Sequence, residues 1–319
     1  MRDVGSAPLA LDPTYDIKLS ALFCAFRVLC GPNVLYACPG SRGREPETMT
    51  FINSLRQRWL DANTLLCVGL DPEPERLPAV LDDDADAVFT FCRAIVDATA
   101  PYVCAFKPQI AHFAALGAED ALQRLIAHIH DAHPGIPVIL DSKRGDIGST
   151  ALHYASEAFD RYRADAVTVN PYLGRDSVQP FLNRADKGVV VLCRTSNPGS
   201  GEFQDLRIDG KPLYQHVAQR VAHEWNGNGN CLLVIGATWP DELAQVRSLV
   251  GDLPFLVPGV GAQGGDVAAV LRNGADSQGN GLIISSSRAI LYASDGVDFA
   301  EAAAAAALRQ RDAINAQRR

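Results

Sequence analysis

From residue 65 onward the chain repeats one pattern: a short apolar run, a polar stretch, a helix-length segment, then another apolar run. Eight such runs occur, at 65–70, 103–106, 137–140, 166–169, 188–193, 231–235, 255–257 and 281–284. Helical patterns lie between them at 85–100, 118–132, 149–162, 213–225, 241–250 and 266–272. Runs that are apolar at every position are buried on both faces, as in a parallel sheet covered by helices. Eight such units within one large domain predict an α/β fold of the closed (β/α)8 TIM-barrel type. The rival, an open doubly wound sheet, needs edge strands that alternate more. The alanine-rich segment from Phe299 onward predicts a closing helix, alanine being the best helix former.

The first 48 of the 319 residues do not share this pattern. They are rich in turn formers and keep no period, whereas FINSLRQRWLDAN, just after Met49, reads as an amphipathic helix with Phe51, Ile52, Leu55, Trp59 and Leu60 on one side. The expected organisation is therefore an extension of residues 1–48 outside the core, with Met49 as an alternative start, and a barrel domain of 49–319. The apolar stretch 19–38 does not make a secretory signal. Arg27 and Gly31-Pro32-Asn33 interrupt it, and Asp3, Asp12 and Asp16 stand where a signal is basic. No uninterrupted apolar run reaches the ~18 residues of a membrane span.

A content of 47% hydrophobic and 21% charged residues suits a globular protein with a sizeable core. The net charge of −8 argues against nucleic acid or a membrane surface as the main partner. Cysteines at 24, 30, 38, 67, 92, 104, 193 and 231 form no CxxC pair, and five of them lie in apolar runs. Reduced, buried thiols in a cytoplasmic protein are the expected reading.

In a barrel, the residues that follow each strand build the active site. Here they include Asp71, Lys107, Asp141-Ser142-Lys143, Asn170, Thr195-Ser196-Asn197, Thr238, the glycine-rich 259–265 and Ser287-Arg288. Asp141 and Lys143 are two apart, so an extended chain points both to one face. Held at ~4 Å in an effective dielectric of ~20, such a pair attracts by about 4 kcal/mol, which keeps the lysine protonated. A structural ion pair is the plain alternative; the company of Lys107 and Asp146 favours a functional site.

Gly259-Val260-Gly261-Ala262-Gln263-Gly264 satisfies the G-x-G-x-x-G dinucleotide pattern but follows the seventh run rather than the first. The glycines suit a barrel phosphate site, with Gln263 donating an amide hydrogen bond and Arg288 gripping phosphate oxygens. The seven histidines fall mostly on helical patterns, so solvated or core roles are expected rather than metal ligation. Asn170 reads as a turn residue. The polar segment 199–211 reads as surface loop or as a lid over the site.

The arrangement D-x-K-x-x-D-[I/V]-x-x-T, met here as Asp141, Lys143, Asp146, Ile147 and Thr150, resembles the signature of the orotidine 5′-monophosphate decarboxylase family. The resemblance runs from Met49 to the C-terminal helix and takes in Gly69-Leu70-Asp71-Pro72, Phe106-Lys107-Pro108, the 258–265 segment and Ser287-Arg288-Ala289-Ile290. Asn170-Pro171-Tyr172-Leu173-Gly174 and Arg194-Thr195-Ser196-Asn197-Pro198-Gly199 make it most similar to the longer bacterial, type 2 subgroup. The resemblance implies decarboxylation of a nucleotide without cofactor or metal. It assigns Lys143 as proton donor, Asp141 beside the departing carboxylate, and Lys107 and Asp71 toward the ribose. Ser196 with Thr195 is assigned to the pyrimidine edge. It also implies that Asp146, Ile147 and Thr150 serve the partner subunit's site in a homodimer. Two alternatives stay open: a metal-dependent sugar-phosphate decarboxylase of the same superfamily, which carries an acidic ligand where Lys107 stands, and a catalytically silent nucleotide-binding barrel.

Overall fold

Each of the eight apolar runs becomes a strand: β1 Leu66–Leu70, β2 Ala105–Pro108, β3 Ile139–Arg144, β4 Ala166–Val169, β5 Gly188–Arg194, β6 Cys231–Ile235, β7 Phe255–Val257 and β8 Leu282–Ser286. The structure is a computed structural model that describes residues 49–81, 86–260 and 266–318. The extension 1–48 lies outside the described residues, as do Gln263 and the cysteines at 24, 30 and 38.

All pairings within the eight-stranded sheet are parallel, in the order β2-β1-β8-β7-β6-β5-β4-β3. The remaining seam, between β2 and β3, is joined by parallel bridges at Phe106↔Val138 and Gln109↔Asp141. The eight-stranded sheet therefore closes on itself, without an open edge among the described residues. Strands β1, β4, β6, β7 and β8 are buried at every position, which is why they read as uninterrupted apolar runs.

Helix α1, Phe51–Asp61, is capped by the Thr50 hydroxyl, which accepts from the Asn53 amide at 3.3 Å. It plugs the base of the barrel. Phe51 packs so tightly on Gly188, the first residue of β5, that a Cβ there would meet the Phe51 ring at 2.4 Å, and Arg58 donates to the carbonyls of Ala100 and Val103 below β2. Phe51, Ile52, Leu55 and Trp59 are buried as expected; Leu60 is 66% exposed, because it falls on the far side of the helix. Helices α2 Ala87–Thr99, α3 Glu119–Ala132, α4 Gly148–Ser156, α5 Arg175–Leu182, α6 Leu213–Arg220, α7 Pro240–Val250 and α8 Val267–Gly274 lie between successive strands. The predicted helices 149–162 and 213–225 end in π-helical turns, Glu157–Arg161 and Val221–Trp225. Helix α5 escapes the sequence reading because Pro180 lies inside it.

The closing helix α9, Phe299–Gln317, buries Ala303, Ala306 and Ala307, and stacks Phe299 on Phe91 of α2 with ring centroids 5.5 Å apart. Its alanines thus serve close packing as well as helix propensity. Cys67, Cys92, Cys104, Cys193 and Cys231 are free and buried. Burial pushes the thiols of Cys67 and Cys231 up to about 12, so they are inert protonated thiols. Among the described residues, no helix is long and apolar enough to cross a membrane.

Candidate active site

The C-terminal ends of β2 and β3 bring together one buried carboxylate and two ammonium groups. Lys107, in β2, donates to Asp141 Oδ2 at 3.0 Å; Lys143, in β3, donates to Asp141 Oδ1 at 2.7 Å. The Lys107 and Asp141 side chains are 8% and 10% exposed, whereas Lys143 is 48% exposed. The array thus has a closed inner half and an outer ammonium that faces the mouth. Burial alone would raise the Asp141 pKa, but Lys107 and Lys143 outweigh it and hold the carboxyl well below the usual range. Burial alone would likewise strip the proton from Lys107; Asp141 and then Asp71 reverse this and hold its pKa above the ordinary lysine value. Both groups of the inner pair therefore carry their charges across the neutral range.

The Asp141–Lys143 contact does not come from a regular pleat. Lys143 has φ +47°, the left-handed region that costs a side-chain-bearing residue of the order of 1 kcal/mol. The β3–β4 register slips between Leu140 and Arg144 at the same place. Thr168, on β4 and 1% exposed, holds this bulge. Its hydroxyl accepts from the amides of Ser142 and Lys143, each at 2.9 Å, and donates to Asp141 Oδ1 at 2.9 Å. Both lone pairs and the proton of one hydroxyl are thereby used, so the backbone of Lys143 and the carboxylate of Asp141 share one anchor. Thr168 was not singled out in the sequence; its only trace there is one polar residue in the run Ala166-Val167-Thr168-Val169.

Asp71 follows β1 and takes a hydrogen bond from Ser287 Oγ on Oδ2 at 2.7 Å, while its Oδ1 is buried without a partner among the described residues. A buried acceptor left open at a barrel mouth is suited to a ligand hydroxyl. Gly69 allows this approach of β1 to β8, since a Cβ there would lie 2.9 Å from Ser287 Cβ. Tyr292 fixes the loop after β1: its hydroxyl accepts from the Glu73 amide at 2.7 Å and donates to the Asp71 carbonyl at 3.2 Å.

After β5, Thr195 and Ser196 part company. The Thr195 hydroxyl donates to Asn197 Oδ1 at 2.7 Å and accepts from Gln204 at 2.9 Å, so it is spent on its own loop. Ser196 packs over Gly236, where a Cβ would approach its Cα to 2.8 Å. The segment 199–211 is neither a plain loop nor free of structure: it forms a short helix, Gly201–Gln204, and a two-stranded ribbon, Arg207–Ile208 with Lys211–Pro212. Arg194, 1% exposed, pins it by donating to Ser200 Oγ at 3.0 Å and Asp205 at 3.3 Å, with its guanidinium over Trp239 at 4.1 Å. Sequence reasoning named Arg194 only as part of a motif, because an arginine at a strand end carries no mark of burial.

Arg288 begins the short helix after β8 and is exposed, with no ion pair among the described residues. Gly259, after β7, has φ +92°, a turn conformation that favours glycine. Asn170 accepts from the Tyr172 amide at 3.0 Å and is the expected turn residue. Asp146, Ile147 and Thr150 are not drawn into the Lys107–Asp141–Lys143 array of their own chain. Asp146 caps the Ile147 amide at 2.8 Å, and Ile147 and Thr150 are exposed.

The family model for "Orotidine 5'-phosphate decarboxylase / HUMPS family" matches residues 64–303. The chain belongs to this family. It is 62% identical over 270 residues to an orotidine 5′-phosphate decarboxylase of Azoarcus sp. (strain BH72), covering 85% of this chain and 100% of that protein. It is 62% identical over 267 residues to the enzyme of that name from Ralstonia pickettii (strain 12J), covering 84% and 98%. Among solved structures, Leishmania donovani OMP decarboxylase superposes with a TM-score of 0.74 at 41% identity, covering 84% of this chain and 98% of that one. The family membership and the closed parallel barrel agree with the fold and resemblance read from the strand-end motifs.

Proposed function

We propose that the chain decarboxylates orotidine 5′-monophosphate to uridine 5′-monophosphate and CO2, the last step of de novo pyrimidine synthesis. The observation that carries this reading is a single buried carboxylate gripped by two ammoniums, one of which faces the barrel mouth. Breaking the C6–carboxylate bond releases CO2 and leaves its electron pair on a ring carbon. A protonated lysine beside that carbon stabilises the pair and then donates the proton that forms the new C6–H bond. Lys143 fills this role, and Asp141 holds its ammonium in place. The unpartnered Asp71 Oδ1 suits a ribose hydroxyl, and Lys107 borders the same side. Ser196, whose hydroxyl the loop leaves unused, reads the pyrimidine edge in preference to Thr195. Arg288, free of ion pairs among the described residues, binds the phosphate together with Gln263. The test is loss of the orotate ultraviolet absorbance on mixing substrate with purified chain. It should proceed equally in the presence of a chelator; loss only with added metal would favour a metal-dependent enzyme, and no loss would overturn this reading in favour of one of the two alternatives.

Residues 1–48 are proposed to stand outside this catalytic unit, since 270 residues of the chain span the whole of the Azoarcus relative. A chain beginning at Met49 is expected to match the full chain in turnover and Tm, and a lost fold would refute this.

The working unit is proposed to be a cytoplasmic homodimer that acts on the nucleotide without cofactor, nucleic acid or membrane. Ile147, Leu152 and Tyr172 are 58%, 60% and 78% exposed beside the loop that carries Asp146, an apolar surface suited to a second copy. Mixing inactive Lys143→Ala and Asp146→Asn proteins should then recover part of the activity through hybrid dimers. No recovery after demonstrated subunit exchange would overturn the shared site.

A further inference from the structure

Helices α2 and α3 run down the outside of the barrel, so their C-terminal ends meet at its base, away from Asp141 and Lys143. Three side chains converge there. Asp97, near the end of α2, takes contacts on the same oxygen, Oδ1, from His128 Nε2 at 2.6 Å and from His133 Nε2 at 2.7 Å. His133 is the C-cap of α3, and its non-helical backbone, φ −129° and ψ 59°, brings its ring edge-on to His128 with centroids 5.9 Å apart. The other histidine of this helix makes a different contact. His130 meets Asp165, whose carboxylate also takes the Val138 amide and lies near Lys187, and so closes a structural network. Among the described residues, the Asp97 carboxylate has these two imidazoles alone.

We propose that Asp97, His128 and His133 bind a divalent transition-metal cation of the zinc type. The three ligand atoms lie within 4.8 Å of one another. Bonds of about 2.0–2.1 Å in a tetrahedral site set ligand atoms roughly 3.3 Å apart, so the pocket must open by about 0.6 Å. Asp97, 46% exposed, has the freedom to move that far. Two imidazoles and one carboxylate select zinc, nickel or cobalt over magnesium or calcium, which prefer all-oxygen shells. An imidazole ligates a metal through a ring nitrogen that carries no proton, so each Nε2 serves as ligand in the tautomer protonated at Nδ1. Asp97 and His133 also line, together with Arg58, a cleft of about 280 Å³, with room for a water or a small anion as a fourth ligand. Such an ion ties α2 to α3, and thereby fixes the two helices that follow β1 and β2.

The experiment uses the full chain without an affinity tag, freed of metal with a chelator and titrated calorimetrically with zinc chloride and, separately, magnesium chloride. The expected result is one zinc per chain, no magnesium heat, and a Tm that rises with zinc. His128→Gln and His133→Gln should each weaken binding by about tenfold or more and abolish the Tm rise, while turnover of orotidine 5′-monophosphate stays unchanged. Asp97→Asn, which keeps the side-chain shape, guards against loss of fold in the histidine variants. No zinc binding to the wild-type chain, or equal binding by the variants, overturns the site; the latter result would place the zinc on other residues.

Discussion

Lys143→Ala is expected to reduce turnover by at least ~10⁴-fold, because in the proposed reaction one ammonium supplies both charge stabilisation and the proton. The fold should scarcely notice. Lys143 is 48% exposed, so its 2.7 Å contact with Asp141 is screened and its loss costs at most about 1 kcal/mol. Asp141 keeps Lys107 and Thr168 as partners. Lys143→Gly sharpens the contrast: at φ +47° glycine relieves the strain that lysine bears, so this variant should be inactive yet at least as stable as Lys143→Ala. Single-turnover assays and thermal melts on the two variants decide the matter. Either one turning over within tenfold of the parent would remove Lys143 as proton donor, and a collapse in Tm would make it a structural residue. Strain retained at a residue that contributes little stability is what a catalytic group requires and a packing residue does not.

Much of this was legible in the residues themselves, and the exceptions share a cause. The eight strands could be read because burial on both faces leaves few polar positions in them, and Asp71, Lys107, Asp141 and Lys143 stood out as charges at the ends of such runs. The contact between Asp141 and Lys143 was foreseen, but by the wrong geometry: an extended strand would share their face, whereas a bulge at a left-handed Lys143 brings it about. Backbone handedness at a lysine has no sequence signal. Thr168, and Arg194 as an anchor, carry no sequence signal because a threonine in a strand and an arginine at a strand end are ordinary until their burial is known. The 199–211 segment reads as loop or lid because its polarity serves Arg194, a partner that precedes it in the chain. The base of the barrel was least legible of all: Asp97 and His128 are 31 residues apart, and only the packing of α2 on α3 joins them.

Thr168→Val tests whether the bulge is held for catalysis. Valine keeps the shape and burial but removes the hydroxyl, so the Ser142 and Lys143 amides lose their acceptor and Asp141 Oδ1 loses a donor. Leaving such groups unpaired costs about 1–3 kcal/mol of stability. The kinetic effect should be the larger. Without its anchor, the Lys143 backbone relaxes toward an ordinary extended conformation and its ammonium leaves the position beside the reacting carbon. A displacement of ~1 Å at a catalytic group costs about 10²-fold in rate, so kcat should fall by that order while KM changes little, since Asp71, Ser196 and Arg288 keep their places. Thr168→Ser restores the hydroxyl without the methyl group and should recover most of kcat. A purely structural threonine would give the opposite pattern: a lower Tm with kcat intact in the folded fraction, and no difference in kcat between serine and valine. Pre-steady-state rates measured well below the Tm of each variant separate the two cases, and a valine variant with kcat within threefold of the parent would show that Lys143 holds its left-handed turn without Thr168.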